Sequence, residues 1–335
     1  MKPIRWGIFG TGRMAATMAE ELLRLEPQGA RLVAVASRDR VRADRFATRF
    51  GVMAAHASYA ELARDGSVDL VYVATPPAEH HAHIALCLRN GKSVLCEKPF
   101  TTDAAQAREV IELARERGLF LMEAMWTRFL PASVALRRLV CSGAIGRPQL
   151  LVGGGAFVPT YDPDHYLFSP RLGGGVLLDA GVYLVSLASM LLGPVRRIHA
   201  SGDLGVHGVD EHDCFILDHD GGARALLYVS LRARRAPDLE LLGDAGRIQI
   251  GAPVFRPTRL VLSRPAQEDE TLDLPIEGSG YGYQVVAAMD AVRDGRMETE
   301  EMALDETLSI MVAMDEIGRQ LAHPDLAVGP GAQSG

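Results

Sequence analysis

The feature that most constrains the fold lies at the start of the chain, where a short apolar run meets a glycine turn. The run from Ile4 to Phe9 leads directly into Gly10-x-Gly12-x-x-Ala15, and apolar residues then recur at helical spacing as far as Leu25. In such a strand, turn and helix, Gly10 permits the tight turn, Gly12 lets the backbone approach a pyrophosphate, and Ala15 allows close helix–strand packing. Because helix N–H groups bind phosphate, the residues expected to contact a dinucleotide here are Gly10, Thr11, Gly12, Arg13 and Met14.

A change in the pattern of apolar segments along the chain predicts two domains. Over about the first 120 residues, apolar strands alternate with amphipathic helices, which indicates right-handed βαβ units and a doubly wound parallel sheet. From Arg197 to Leu274 the segments are strand-like, which predicts an open, mostly antiparallel sheet in an α+β domain. We predict a dinucleotide-binding domain over residues 1–123, a substrate-binding and dimerisation domain over 124–323, and a disordered tail over 324–335.

Composition narrows the class of protein. A chain of 335 residues with 48% hydrophobic residues is long enough for two cores. Its net charge of −7 argues against nucleic acid as a partner. We find no apolar run near the roughly 18 residues that span a bilayer, and no room for a signal peptide before the first strand. The scattered cysteines predict a reduced, cytoplasmic protein: Cys87, Cys96, Cys141 and Cys214.

The end of the second strand decides between the two nicotinamide cofactors. An NAD-selective site usually has an acid there to bind the ribose 2′-hydroxyl. Here the strand ends in Ser37 and Arg38, and Asp39 comes one position later. Ser37 can donate to a 2′-phosphate and Arg38 can pair with it, so we favour NADP over NAD. The alternative is that Arg38 is an ordinary surface residue and Asp39 only caps the next helix.

Two histidine-containing segments raise the question of a metal. His80, His81 and His83 follow Thr75-Pro76 at the carboxyl edge of the predicted sheet, but His80 and His81 point to different sides of a helix. We therefore expect no metal, and place Thr75, Pro76 and His80 near the nicotinamide, with a cap or surface role as the alternative for His80. The polar segment from His207 to Asp213 is expected to be a solvated turn at a strand end rather than a metal site.

Three residues are candidates for proton transfer. Lys98, in Glu97-Lys98-Pro99, ends another buried strand, where partial desolvation would suit an amine to proton transfer. An ordinary Glu97–Lys98 salt bridge is the alternative. Asp179 and Tyr183 are spaced i, i+4 on a predicted helix from Gly173 to Leu192 and so are expected on one face. A phenol beside an ammonium can exchange a proton with a substrate oxygen, while a carboxylate orients both.

Together these motifs resemble the glucose–fructose oxidoreductase/inositol dehydrogenase (Gfo/Idh/MocA) family over nearly the whole chain. The resemblance is carried by Gly7 to Gly12, Ala74 to Pro77 with His80, Glu97-Lys98-Pro99, and Gly173 to Tyr183. It implies a Rossmann domain, a second α/β domain whose sheet forms a dimer, and hydride transfer between NAD(P) and a sugar-like substrate. By the same resemblance Lys98, Asp179 and Tyr183 form the catalytic group.

A tyrosine at position 183, where the wider family usually has histidine, points to one branch. With the segment Leu121 to Pro131, it resembles the branch of dimeric dihydrodiol dehydrogenase and NADP-dependent D-xylose 1-dehydrogenase. That branch implies that Glu97, Trp126 and Arg128 lie near the cofactor, and that Trp126 and Phe157 line the substrate pocket with Asp179 and Tyr183. Core packing is the alternative for Trp126.

The resulting hypothesis is an NADP-dependent oxidoreductase acting on a secondary alcohol or hemiacetal of a sugar, cyclitol or cyclic diol. Tyr183 is the predicted general acid/base, supported by Lys98 and oriented by Asp179; direct proton donation by Lys98 is the alternative. Two other functions stay open: a catalytically silent NAD(P)-binding sensor or regulatory protein, and a redox-neutral lyase or glycosidase that uses NAD transiently.

Overall fold

The computed structural model describes residues 2–322. These residues divide into two compact units, one formed by residues 2–129 and 276–308, the other by residues 130–275 and 309–322. The sequence pattern did not predict that residues 276–308 belong to the first unit. The predicted disordered tail, residues 324–335, lies outside the described residues.

The first unit contains a six-stranded parallel sheet in the order β3-β2-β1-β4-β5-β6. This is the strand order of a dinucleotide-binding Rossmann fold, and it confirms the predicted doubly wound sheet. The central strands are buried along their whole length, which is why they appear in the sequence as continuous apolar runs. The strands are β1 (Ile4–Phe9), β2 (Ala30–Ala36), β3 (Ala54–His56), β4 (Leu70–Val73), β5 (Ser93–Cys96) and β6 (Leu121–Glu123).

The helices between these strands begin at recognisable caps. Asp39, Ser58 and Asp103 each accept hydrogen bonds from backbone N–H groups of the first helical turn that follows. Gly51 and Gly118 end two of the helices in the left-handed conformation. The helices are α1 (Arg13–Arg24), α2 (Arg40–Phe50), α3 (Tyr59–Arg64), α4 (His80–Arg89) and α5 (Ala104–Arg117).

The second unit contains an eight-stranded sheet in the order β14-β13-β12-β11-β7-β10-β9-β8. Strands β7 and β10 are parallel and the other pairs are antiparallel, which confirms the predicted mostly antiparallel sheet. The strands are β7 (Pro148–Ala156), β8 (Val195–Leu204), β9 (Asp210–His219), β10 (Arg224–Ser230), β11 (Arg235–Gly243), β12 (Arg247–Ile250), β13 (Arg259–Ser263) and β14 (Glu270–Asp273).

The remaining helices are α6 (Pro131–Cys141), α7 (Val182–Leu192), α8 (Gly282–Arg293) and α9 (Leu304–Ala322). A single turn of π-helix, Leu177–Gly181, runs directly into α7. Single 3₁₀ turns lie at Glu26–Gln28, Pro77–Glu79, Trp126–Phe129, Tyr166–Phe168 and Pro170–Leu172.

The register of the second sheet separates a buried face from an open one. One row of paired residues is at most 1% exposed. It comprises Leu217, Ala225, Leu151, Leu241, Ile248 and Leu262. The neighbouring row on the opposite face is half-buried or exposed: Ile216, Leu226, Val152, Glu240, Gln249 and Val261. Because side chains alternate along a strand, this unit has a core on one side of its sheet and an uncovered, partly apolar surface on the other.

One segment corrects the expectation that no apolar run is long enough to cross a bilayer. By length and composition, Pro170–Leu192 could cross a bilayer, but 67% of its most apolar 18-residue stretch is buried inside the protein. A buried core helix has the same composition, so the segment is weak support for a membrane span.

Candidate active site

The glycine turn after β1 has the conformation and the space that a bound pyrophosphate requires. Gly10 has φ +104°, and a Cβ there would lie 2.7 Å from the carbonyl oxygen of Ala74. Gly12 is the N-cap residue of α1 and is exposed, and a Cβ on it would meet no atom of residues 2–322 within 4 Å. Among the same residues no side chain caps α1, so its first N–H groups suit a phosphate. The other predicted contacts are Thr11 and Met14, which are half-buried, and Arg13, which is exposed.

The end of β2 presents an arginine, while the neighbouring acid is engaged elsewhere. Asp39 accepts from the N–H groups of Val41 and Arg42 and so caps α2, as the alternative interpretation of this residue predicted. Ser37 is buried, and its hydroxyl accepts from the Asp39 N–H at 3.2 Å. Arg38 is exposed. A 2′-phosphate contact by Ser37 and Arg38 fits this arrangement and stays a prediction.

His80 links the ends of β4 and β5. Its side chain is 1% exposed, with Nδ1 2.9 Å from the Pro99 carbonyl oxygen and Nε2 2.8 Å from the Thr75 carbonyl oxygen. Burial lowers the pKa of His80. The Thr75 hydroxyl lies 2.9 Å from Nδ1 of His83, and Pro76 beside it is half-buried. The structure therefore gives His80 a role within the fold, and its predicted place beside the nicotinamide stays a prediction.

Lys98 follows β5 and is half-buried, whereas Glu97 beside it is buried. The backbone N–H of Lys98 donates to Oε2 of Glu97 at 3.2 Å, and the wholly buried Tyr72 hydroxyl donates to Oε1. Burial raises the pKa of Glu97, while the Tyr72 hydrogen bond and the Lys98 charge oppose this rise. Glu97 and Lys98 are thus electrostatically coupled at the carboxyl edge of the parallel sheet, where ligands of such sheets bind.

Trp126 and Arg128 lie in one 3₁₀ turn after β6 and are both buried. The Trp126 ring stacks on Tyr281 with 4.4 Å between ring centroids. Arg128 is 2% exposed; Nη2 lies 2.7 Å from a carboxylate oxygen of Glu306, and Nη1 donates to the Glu301 carbonyl at 3.1 Å. These contacts give Arg128 a structural ion pair, and a cofactor contact for either residue stays a prediction.

Asp179 lies on the π-helical turn and Tyr183 on α7, which corrects the predicted continuous helix. Hydrogen bonds in a π turn run from i to i+5 rather than i to i+4, and the predicted placement of Asp179 and Tyr183 on one face stays a prediction. The Tyr166 hydroxyl donates to Oδ1 of Asp179 at 2.6 Å. The Tyr183 ring packs 4.9 Å from Phe255 between centroids. Both predicted catalytic side chains of this unit are half-buried.

The segment from His207 to Asp213 begins as the expected exposed turn at His207 and continues into β9, where Asp213 corrects the expectation of a solvated residue. Asp213 is wholly buried, and within residues 2–322 neither of its carboxyl oxygens has a hydrogen-bond donor. Asp210 accepts from the Leu177 N–H at 2.6 Å, and a Cβ on Gly175 would overlap its carboxyl group. Burial raises the pKa of both acids, that of Asp213 to about 9 with the Asp210 charge contributing. Nowhere in the described part of the chain do three His, Cys, Asp or Glu side chains group to hold a metal.

Several contacts of the candidate residues had no signal in the sequence. Tyr72 lies in an apolar strand, where tyrosine predicts packing, and Tyr166 lies thirteen residues before Asp179 without a periodic relation. Glu123 ends β6 and is wholly buried, although glutamate predicts surface exposure. Phe157, the remaining predicted substrate residue, follows β7 and is 37% exposed.

Comparison with known proteins assigns both parts of the chain to one family. Residues 4–125 match the GFO_IDH_MocA oxidoreductase family, described as an NAD-binding Rossmann fold. Residues 133–249 match the GFO/IDH/MocA C-terminal domain.

Named relatives cover nearly the whole chain. Trans-1,2-dihydrobenzene-1,2-diol dehydrogenase of Macaca fuscata fuscata is 34% identical over 327 residues, covering 95% of this chain and 97% of the relative. D-xylose 1-dehydrogenase (NADP(+)) of Hypocrea jecorina is 33% identical over 367 residues, covering 96% and 94%. The crystal structure of KijD10, a 3-ketoreductase from Actinomadura kijaniata in complex with NADP and TDP-benzene, has TM-score 0.84 and 29% identity over 95% and 98% of the chains.

These similarities confirm the predicted family branch, fold class and oxidoreductase activity. They also agree with the predicted cofactor, since the xylose dehydrogenase is named for NADP and the ketoreductase was crystallised with it. The motifs, the strand order of the parallel sheet and the extent of the matches lead to one assignment: the chain belongs to the Gfo/Idh/MocA family of oxidoreductases.

Proposed function

We propose that this chain is an NADP-dependent oxidoreductase that transfers a hydride between the nicotinamide and a secondary alcohol or hemiacetal carbon of a sugar, cyclitol or cyclic diol. The observation that carries the proposal is the half-buried Lys98 at the carboxyl edge of the same sheet that bears the Gly10–Gly12 turn. Ligands of open α/β sheets bind at that edge. Diol and xylose dehydrogenases among the relatives support the substrate class.

The chemistry that bound NADP supplies is the hydride, and the chain's own residues hold and orient its parts. The turn from Gly10 to Met14 binds the pyrophosphate through backbone N–H groups, and Ser37 with Arg38 binds the 2′-phosphate. The residues assigned to the nicotinamide end are Thr75, Pro76, His80, Glu97, Lys98, Trp126 and Arg128. This assignment rests on the motif resemblance and on the place of these residues at the sheet edge.

The proton on the substrate oxygen is assigned to Tyr183, with Lys98 favouring the ionised phenol by its positive charge. Asp179 orients the pair, and the Tyr166 hydroxyl fixes one oxygen of Asp179. Trp126 and Phe157 form the substrate walls. The KijD10 ketoreductase was also crystallised with a lysine or a tyrosine replaced, the residue types assigned here.

A substrate screen with two variants tests this function. Pentoses, hexoses, inositols and trans-diols are incubated with NADP or NAD, and absorbance at 340 nm, the band of the reduced nicotinamide, is followed. Lys98→Met or Tyr183→Phe is expected to lower kcat by at least about 100-fold, as for a lost acid/base group, while NADP binding persists. Full turnover in both variants refutes the catalytic assignment, and a clear NAD preference refutes the role of Ser37 and Arg38.

The screen also distinguishes the other two functions. No turnover with tight NADP binding supports a silent sensor, and turnover without a net absorbance change supports a redox-neutral enzyme. Either result rejects net hydride transfer to substrate.

The same proposal includes a homodimer formed through the open face of the second unit's sheet, and a cytoplasmic location. The open face carries apolar side chains in register across neighbouring strands, among them Ile216, Leu226 and Val152. A second copy of the chain, packed through the same face, would bury this apolar surface in both subunits. The four cysteines are free thiols, which suits a reducing compartment. Sedimentation equilibrium tests the dimer, and Leu226→Lys is expected to shift it to monomer.

A further inference from the structure

The backbone around Lys98 is held by the side chains of Glu97, of His80 from α4 and of Glu123 from β6. The Lys98 N–H donates to Glu97 at 3.2 Å, and the Phe100 N–H donates to Oε1 of Glu123 at 3.1 Å. Pro99 between them has no N–H, and its carbonyl oxygen lies 2.9 Å from Nδ1 of His80. Both backbone donors of this three-residue segment therefore end on buried carboxyl groups.

Glu123 reaches this segment because of the register between β5 and β6. It pairs with Cys96, the last residue of β5, so its side chain lies beside the chain that continues through Glu97 to Phe100. Glu123 is wholly buried, and its second oxygen, Oε2, has no hydrogen-bond donor among residues 2–322. A buried carboxyl oxygen without a donor is destabilising unless a nearby charge compensates it. Lys98 and Arg128 are the cations whose charges act on it.

We propose that Glu123 is a positioning residue for Lys98: its carboxylate anchors the backbone beyond Pro99 and supplies a negative charge that favours the ammonium form of Lys98. The proposal rests on the proposed function only in treating Lys98 as a residue of the reaction. Arg128 is the second cation near this carboxylate, but it is already paired with Glu306.

Ionisation of Glu123 makes this anchor dependent on pH. Burial raises the pKa of Glu123 to about 7; the Arg128 charge, the Phe100 hydrogen bond and the Lys98 charge lower it, and the Glu97 charge raises it. The Cys96 thiol also faces it. Above pH 7 Glu123 is a carboxylate and a charge-assisted acceptor, and below pH 7 it is a weaker neutral acceptor. Lys98 is therefore expected to lose the negative charge of Glu123 as the pH falls through about 7.

Amine labelling tests the proposal without any enzymatic turnover. The chain has three lysines, Lys2, Lys92 and Lys98, so limited acetylation followed by peptide mass spectrometry resolves each one. Glu123→Gln keeps the shape and a carbonyl acceptor but removes the charge. At pH 8 we expect Lys98 to be labelled about tenfold faster in Glu123→Gln than in the native chain, as for the loss of one close opposite charge. Lys2 is the internal control, and Glu116→Gln, on the exposed side of α5, is the matched variant.

Equal Lys98 labelling, relative to Lys2, in Glu123→Gln and the native chain overturns the proposal. Should Glu123→Gln not fold, Glu97→Gln decides, because it removes the other carboxylate beside Lys98 and keeps Glu123. Because acetylation consumes the free amine, the Lys98/Lys2 labelling ratio of Glu97→Gln must decrease as the pH rises through 7, and a constant ratio overturns the proposal.

With a substrate in hand, the pH profile of kcat/KM gives the second measurement. We expect kcat/KM of the native chain to fall below pH 7, which gives an acid limb that Glu123→Gln lacks. At pH 8 we expect Glu123→Gln to be about 10- to 100-fold slower than the native chain, as for a misplaced catalytic group. NADPH affinity is expected to be unchanged. An acid limb retained in Glu123→Gln overturns the proposal. Absence of turnover in the native chain counts against the proposed function alone, because the labelling result stands apart from it.

Discussion

Replacing Asp213 with asparagine is expected to change how stability depends on pH. Asp213 is wholly buried beside Asp210, and burial together with the Asp210 charge raises its pKa to about 9. In an unfolded chain an aspartate has a pKa of about 3.9. Between these two values the folded protein holds a proton that the unfolded chain releases. The Asp213→Asn side chain is neutral at every pH and has nearly the same shape.

The sign and size of the effect follow from this difference. Because the folded-state pKa is raised, the stabilisation is fully present below about pH 4 and is lost as the pH rises toward 9. One proton changes the free energy of unfolding by at most about 1.4 kcal/mol per pH unit. From pH 5.5 to pH 7.5 the native chain thus loses up to about 2.7 kcal/mol that Asp213→Asn keeps. That difference corresponds to roughly 5–10 °C in Tm for a domain of the second unit's size.

Thermal unfolding followed by circular dichroism from pH 5.5 to 8.5 measures this difference. The Tm of Asp213→Asn minus that of the native chain is expected to grow steadily with pH, and taking this difference removes the contributions of titrating groups that do not interact with Asp213. Asp269→Asn is the control, because the Asp269 side chain is exposed and its charge is not among those that shift the pKa of Asp213. Parallel curves for the native chain and Asp213→Asn would falsify the claim that Asp213 is protonated in the folded state.

Three further substitutions probe the candidate site. Gly10→Ala is expected to weaken NADP binding at least about tenfold by titration calorimetry, because φ +104° is strained for alanine and its Cβ meets the Ala74 carbonyl; unchanged affinity contradicts this. Tyr166→Phe removes a donor to a charged group and is expected to lower kcat about tenfold with NADP affinity intact; a native kcat would show that Asp179 needs no orientation. Arg38→Ala is expected to weaken NADP at least about tenfold and leave NAD unchanged in parallel titrations, whereas equal losses would assign Arg38 to the adenine.

The first unit was largely predictable because its central strands are buried on both faces. All four residues of β4 are buried, and so are those of β5, so each strand appears in the sequence as a short apolar run. The turn at Gly10 was equally visible, because its positive φ and its approach to Ala74 require glycine. Lys98 could be placed from its position after β5 alone, since carboxyl ends of parallel strands meet at one edge.

What the sequence did not reveal depends on pairings between distant segments. Glu123 becomes a partner of the Lys98 segment only through its register with Cys96, and Asp210 meets the Leu177 N–H across 33 residues. Both side chains look like surface acids in the sequence, because nothing local to them indicates burial. The π turn was hidden for a different reason: it differs from an α-helix by one residue per turn and leaves the apolar pattern nearly unchanged.

The two buried acids bear on how the pH profile of this enzyme should be interpreted. A bell-shaped profile is ordinarily assigned to the groups that transfer protons, which in the proposed function are Lys98 and Tyr183. Glu123, however, ionises near pH 7 while its carboxylate accepts from the Phe100 N–H, and Asp213 loses its proton near pH 9 beside Asp210, which accepts from the turn that carries Asp179. Each of these acids can generate one limb of the bell without touching the substrate. A limb belongs to a catalytic residue only if it persists in Glu123→Gln on the acid side and in Asp213→Asn on the alkaline side.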